Sequence, residues 1–321
     1  MKSKDNRKNI LYTSDLLNTL YNLKTLNITQ LENSNSYAGA TTAVDGIPFT
    51  IGLCTKEYSY HLLTNEEILM MEMLLSWEAL VNEEDEEFTT ITFSDIDWMR
   101  NRQKRNKSYI EENHRKYMSV ISSLSELLLI YGNEEQLNNS SVDLIDSNLI
   151  NVEYIYDSEL VIGIKYNLGK LGTVLKTLNQ RVSLETNIFR YSSTEFMKYQ
   201  IMRYMVTSIF MNRVKKHSFT RTHKSILKAI TYTTAGADIV SYLDYIIDKK
   251  YLYKYLNRYY FRLDEVMQLL KEIRFIRDFN IIQDKCKRGI MTSCGKVEIT
   301  TNLSNMKRSH GANLSRKYTE N

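Results

Sequence analysis

Five histidines, three cysteines and 23 tyrosines are the side chains of this 321-residue sequence best suited to metal binding or nucleophilic chemistry. Their spacing supports neither. His61, His114, His217, His223 and His310 are scattered with no two at metal-ligand spacing, which disfavours a metal nuclease and the paired-His centre of nicking enzymes. No His has an Arg at the third following position, as a tyrosine recombinase needs, and nothing marks one of the tyrosines as a nucleophile. Cys54, Cys286 and Cys294 are odd in number and lack CxxC spacing, so neither a disulfide framework nor a zinc site is expected. GxxxxGK[ST], GxGxxG, GxSxG and HExxH are all missing, which removes the usual hardware of nucleotide hydrolysis, dinucleotide redox, serine hydrolysis and zincin chemistry. The acid pair Asp95 and Asp97 could serve a metal or a proton transfer, but behind Ser94 at a helix start it reads better as a cap. The expectation is a protein that is not an enzyme and holds no cofactor or metal.

Positive evidence lies in the cations. Residues 1–135 carry 13 Lys+Arg against 21 Asp+Glu, net −8, whereas residues 136–321 carry 29 against 17, net +12. Such asymmetry suits a chain of which one part meets a polyanion. In the first half, Lys104, Arg105 and Lys107 fall in a basic turn, and the helix after it presents Tyr109, Asn113, Arg115 and Lys116 near its start. That is the layout of a helix-turn-helix, whose second helix reaches base edges while the turn holds phosphates. Asn and Arg are the residue types that pair with adenine and guanine edges, and Lys suits phosphate. In the second half, Arg221, His223, Lys224 and Lys228 lie on an entry segment and a short helix, and Lys254 and Arg258 lie on an expected hairpin, as in a wing. Double-stranded DNA is therefore the expected partner.

The elements that must position these residues follow from periodicity. Scarce Gly (11) and Pro (1) leave room for long helices. Residues 1–46 read as an N-terminal arm with a short amphipathic helix from Ser14 to Leu26 and a polar stretch from Glu32 to Gly46. A strand follows over Ile47–Leu53. Thr64-Asn65-Glu66-Glu67 is a capping box that opens a helix through Val81. A short strand spans Phe88–Phe93, then come a helix from Ser94, the basic turn, a long helix from Ser108 to Leu128, and a strand to Tyr131. Val152–Tyr156 and Leu160–Tyr166 form a hairpin about Asp157-Ser158-Glu159, and a connector helix spans Leu168–Leu184. The order then recurs: a second capping box at Ser192-Ser193-Thr194-Glu195, short helices over Lys224–Tyr232 and Ala237–Asp248, a hairpin over Tyr251–Leu263, and a closing helix over Asp264–Phe279. Residues 284–321 read as a flexible basic tail. The fold expected is mainly α (α+β), with two tandem winged-helix domains bearing small β-hairpin wings at 47–184 and 185–283. No apolar run is long enough to span a membrane, so a cytoplasmic protein is expected.

In layout and hydrophobic pattern the sequence resembles the replication initiators of theta-replicating bacterial plasmids, through Thr64 to Trp77, Thr90 to Gly132 and Ser192 to Leu263. The resemblance covers residues 47 to 283. It implies that both units bind repeated origin sequences and that the first unit also forms a homodimer. It further implies that the protein hydrolyses nothing itself and brings host helicase and polymerase to an opened AT-rich duplex. The acidic excess of the first unit departs from a simple two-headed binder. A winged-helix transcriptional regulator, or a nicking enzyme using a Tyr, are the rival readings.

Overall fold

The computed structural model describes residues 9–301 apart from 14, 22–27, 31–37, 45–46, 58–59, 82–86, 101–105, 133–147, 179–180, 185–187, 191–194, 213–216, 231–248, 284, 288–289 and 293–294. The chain divides into two units, Met1–Arg181 and Val182–Asn321, each of mixed helix and strand. Among the described residues no helix is long and apolar enough to cross a membrane.

The first unit opens with β1 (Asn9–Tyr12), α1 (Asp15–Tyr21), β2 (Ile28–Gln30), β3 (Ala38–Val44) and β4 (Ile47–Thr55). This corrects the expected N-terminal arm. Leu11, Leu16, Leu17, Leu20 and Tyr21 are buried, and the Ile10 amide donates to Ser76 Oγ at 3.0 Å. A segment that buries this much apolar surface belongs to the core rather than trailing from it. β2, β3 and β4 join β6 (Leu127–Gly132) in an antiparallel sheet of order β2-β3-β4-β6.

Next comes α2 (Asn65–Val81), which is apolar nearly all round and buried along most of its length. The capping box forms as the sequence suggests: Glu67 N–H donates to Thr64 Oγ1 at 3.3 Å, and Thr64 N–H donates to Glu67 Oε2 at 2.6 Å. β5 (Thr89–Thr92) leads directly into α3 (Phe93–Met99), capped by Thr92 and Asp95 in the same reciprocal way. α4 (Lys107–Ser125) follows, its N-cap Asn106 accepting from the Tyr109 amide. β7 (Asn151–Asp157) and β8 (Leu160–Asn167) form the expected hairpin, in a sheet of order β5-β8-β7. Gly163 permits this sheet, because a Cβ there would lie 2.5 Å from the Ile91 carbonyl oxygen on β5. Trp77 Nε1–H to the Thr90 carbonyl (2.9 Å) and Tyr166 Oη–H to the Leu74 carbonyl (2.6 Å) pin the sheet to α2. α5 (Gly169–Leu178) ends six residues before the expected connector does, and β9 (Arg181–Leu184) takes its place.

In the second unit a short 3-10 turn (Ile188–Arg190) precedes α6 (Phe196–Asn212), β10 (Ser218–Thr222), α7 (His223–Ile230), α8 (Lys249–Glu272) and β11 (Ile276–Ile282). The hairpin expected over Tyr251–Leu263 does not exist: those residues lie inside the 24-residue α8. The burial of Leu256, Tyr259, Tyr260, Leu263, Val266, Met267 and Leu270 shows why, since these steps of three and four define one helical face. Many tyrosines gave the stretch a strand-like look that the period overrides. The closing helix over Asp264–Phe279 is likewise corrected, because α8 ends at Glu272 and β11 begins at Ile276.

The flexible tail is also corrected as far as Thr301. β12 (Lys285–Lys287) and β13 (Ile290–Thr292) pair as a hairpin, and β14 (Lys296–Thr301) completes a sheet of order β10-β14-β11 with Val297 and Ile299 buried. Ser192, Ser193 and Thr194 of the second capping box, the polar insertion Gly132–Ser147 beyond Gly132, the helix over Ala237–Asp248 and residues 302–321 lie outside the described residues. Among the described elements part of the order recurs: each unit has a long helix, a strand, a short helix and a second long helix in succession, and in each three-stranded sheet the first strand pairs with the last.

Glu67 gives a pH test of the first unit. Burial alone would raise its pKa, but hydrogen bonds from His61, Ser123 and Thr64 outweigh it and hold the carboxyl at about 2. A pKa depressed from 4.5 contributes stability that is complete above 4.5 and lost as pH falls towards 2, on the order of 3 kcal/mol in full. Urea unfolding of the wild type and Glu67→Gln should therefore show a gap that is widest at neutral pH and closes between pH 4.5 and 2. A gap independent of pH would contradict this.

Candidate nucleic-acid interface

The pose of α4 is set from below by α3. Asp97 is 3% exposed, and its carboxylate takes two donors from α4 one turn apart: Tyr117 Oη–H at 2.9 Å on Oδ1 and His114 Nε2 at 2.8 Å on Oδ2. The rings of Phe93, His114 and Tyr117 pack around this pair, and the Arg100 guanidinium lies 5.9 Å over the Tyr117 ring. The far end of α4 is held by Ser123, whose hydroxyl donates to Glu67 Oε1 at 2.6 Å. Asp95 serves the cap and Asp97 the helix packing, so the acid pair has a structural use on both members. Among the described residues no group of three metal-ligating side chains gathers.

With α4 held this way, Lys107, Tyr109, Arg115 and Lys116 all emerge on its exposed side, together with Ser108, Glu112 and Ser119. Asn113 does not. It is 5% exposed and its amide donates to the Tyr109 carbonyl at 2.7 Å, which takes it off the face assigned to it and away from any base edge. Lys104 and Arg105 fall outside the described residues. Two of the cations have acids one turn away: Lys107 lies 3.8 Å from Glu111 and Lys116 lies 2.6 Å from Glu112. The Lys116 hydrogen bond lowers the Glu112 pKa. Exposed pairs of this kind contribute little to stability, so a phosphate can displace the acid cheaply.

Facing α4 across an open groove of about 390 Å³ is the β7–β8 hairpin. Arg115, Met118, Ser119 and Ser122 line one wall, and Tyr154, Tyr156 and Val161 the other. Tyr156, Leu160 and Ile162 leave the hairpin notably exposed for apolar side chains, at 62%, 73% and 39%. The hairpin is legible in the sequence, whereas the place of Tyr154 and Tyr156 in this groove is not, the alternation along Val152–Tyr156 being its one signal.

In the second unit His223 is wholly buried, and the expectation that it meets DNA is corrected. Its Nε2 lies 2.8 Å from the Ile282 carbonyl, which can only accept, so Nε2 carries the proton and Nδ1 accepts from Tyr259 Oη–H at 2.9 Å. His223 thus joins α7 to α8 and to β11, as Asp97 joins α3 to α4. Arg221 is half-buried, donating from Nε to Ser208 Oγ at 3.3 Å with its guanidinium 5.2 Å over the Phe219 ring. Lys224 is half-buried on α7, and Lys228 lies on the same helix.

Lys254 and Arg258 are exposed, but on α8 rather than on a wing, and Asn257 and Phe261 share their face at steps of three and four. A strand pattern over this segment hides Asn257 and Phe261, because only a helical period brings them beside Lys254 and Arg258. Phe261 is 61% exposed beneath the Arg262 guanidinium, 5.4 Å from the ring centre. Arg262 itself pairs with Glu265 at 2.6 Å, which with Lys198 holds the Glu265 pKa down against the upward push of burial.

No family model matches the chain. No curated protein matches it either. Among solved structures, domains 2 and 3 of RctB superpose with a TM-score of 0.50 at 9% identity, covering 89% of this chain and 98% of that one. A second structure of RctB domains 2 and 3 gives 0.48 at 8% identity over 89% and 98%. The Pi initiator protein in complex with iteron DNA gives 0.42 at 12% identity over 78% and 97%. At 9% identity the first match is a likeness of fold, and the chain shares the fold of those RctB domains.

Removing the Asp97 carboxylate tests how α4 is held. Asp97→Ala strands the buried Tyr117 hydroxyl and should cost about 2–3 kcal/mol. Asp97→Asn keeps an acceptor for that hydroxyl and should cost clearly less. Urea midpoints at pH 7 that are equal for the two variants would contradict the assignment.

Proposed function

We propose that this chain is a sequence-specific duplex-DNA-binding protein that initiates replication at an origin with repeated sites, using two tandem winged-helix units. The observation that carries the reading is the doubled arrangement of a short helix, a long helix and a three-stranded sheet, with cations on the exposed side of each long helix. In such a unit the long helix, α4 or α8, enters the major groove and the strands beside it form the wing. Lys107, Arg115 and Lys116 serve the first contact, with Lys254 and Arg258 serving the second. The shared fold with RctB domains 2 and 3 supports the architecture. The layout resemblance to theta-type plasmid initiators supports replication as the purpose, with host helicase and a homodimer as partners of the same reading.

The second unit carries the larger share of electrostatic affinity in this account. Around Lys254 and Arg258 the positions three and four residues away are Lys250, Tyr251, Tyr255, Asn257, Phe261 and Arg262, without an acid. On α4, Glu111 and Glu112 sit at that spacing from Lys107 and Lys116.

Duplexes tiled across the DNA flanking the coding sequence test the proposal. Binding should concentrate on repeated sites and fall steeply with salt. Release of roughly 0.9 counterion per phosphate over about six phosphates gives a log–log slope of around −5. A footprint over one short operator would favour a transcriptional regulator, and a covalent adduct with a labelled strand would favour a nicking enzyme. Affinity unchanged between low and moderate salt would contradict duplex binding altogether.

A further inference from the structure

We propose that the groove between α4 and the β7–β8 hairpin is a seat for one sugar–phosphate strand of the duplex, and that Arg115 holds a phosphate there rather than reading a guanine edge. The inference rests on the duplex-binding proposal and assigns the chemistry of one part of it. Arg115, Ser119 and Ser122 on one wall and the Tyr154 and Tyr156 side chains on the other offer a guanidinium and four hydroxyl groups. That is a set of donors for phosphate oxygens, because Ser, Tyr and Arg side chains make a large part of the backbone contacts in protein–DNA complexes. Val161 supplies an apolar patch in the same wall, suited to a deoxyribose face.

Position on the helix points the same way. Base edges are read from the first turns of a recognition helix. Arg115 lies more than two turns into α4, which begins at Lys107, and it lines a groove shared with the hairpin. The hairpin tip does not suit deeper insertion into DNA. Asp157 and Glu159 are exposed there beside Leu160, so carboxylates would meet phosphates if the tip entered a groove. The strand therefore lies between the hairpin and α4, against the hydroxyl-bearing part of the wall. Specificity in the first unit falls instead to the first two turns of α4, where Ser108, Tyr109 and Glu112 are exposed.

The test compares the full-length wild type with Arg115→Ala and Tyr156→Phe on the tightest of the tiled duplexes and on its scrambled counterpart across a salt series. Arg115→Ala should weaken both duplexes by the same factor, on the order of ten-fold. It should also make the salt slope shallower by about 0.9. Tyr156→Phe should weaken both equally and leave the slope unchanged, because it removes a hydroxyl and no charge. A methylphosphonate scan gives an independent readout. Neutralising one particular phosphate should cost the wild type affinity and cost Arg115→Ala nothing further. Loss confined to the specific duplex, with relaxed preference at one base pair, would overturn this inference and leave the duplex-binding proposal standing. Failure of the wild type to bind any duplex would overturn both.

Discussion

The buried carboxylate of Asp97 is the constraint on which the first unit's exposed face depends. A charge removed from water must be met by donors or it destabilises the fold by several kcal/mol. Asp97 meets this with Tyr117 and His114, both on α4, so only one rotation of α4 about its axis satisfies it. Glu67 repeats the logic at the other end of the same helix: its cap on α2 and its bond to Ser123 share one carboxylate. Two carboxylates therefore decide which residues of α4 face outward. In the second unit the corresponding tie is His223, placed between the Ile282 carbonyl and the Tyr259 hydroxyl.

This arrangement accounts for part of the charge asymmetry between the two halves. Glu67 and Asp97 are committed to internal hydrogen bonds, and Asp95 caps α3. Glu111 and Glu112 moderate the cations beside them on α4. The net acidity of the first half is thus compatible with a DNA-facing surface, because part of it is consumed in the interior. On α8 the positions three and four residues from Lys254 and Arg258 hold no acid in the sequence.

Local chemistry made much of the first unit legible. The box Thr64–Glu67, the strand before α3, the α3–α4 pair and the β7–β8 hairpin all follow from caps and periods within about twenty residues. What escaped was set by longer-range packing. Ala38–Val44 looks like a polar loop until β4 and β2 pair with it, although the Asp45-Gly46 dipeptide between β3 and β4 is a recognised hairpin signal. Asn113 and His223 look like base and phosphate contacts from their types, and only the fold shows that one is spent on a backbone carbonyl and the other on the core. The aromatic run Tyr251–Tyr260 hid a helical period behind strand-forming residues. β14 was missed because its alternation, Val297 and Ile299 inward, is short and follows a Gly-rich basic stretch.

A hydroxyl-radical footprint of the full chain on its tightest duplex tests most directly whether both long helices engage DNA. Wild-type protein should protect two separate backbone segments. Replacing Lys254 and Arg258 together by Glu should erase one of them, and replacing Lys107 and Lys116 together by Glu should erase the other. A single protected segment, or one lost equally with either double variant, would contradict the claim that both long helices engage DNA.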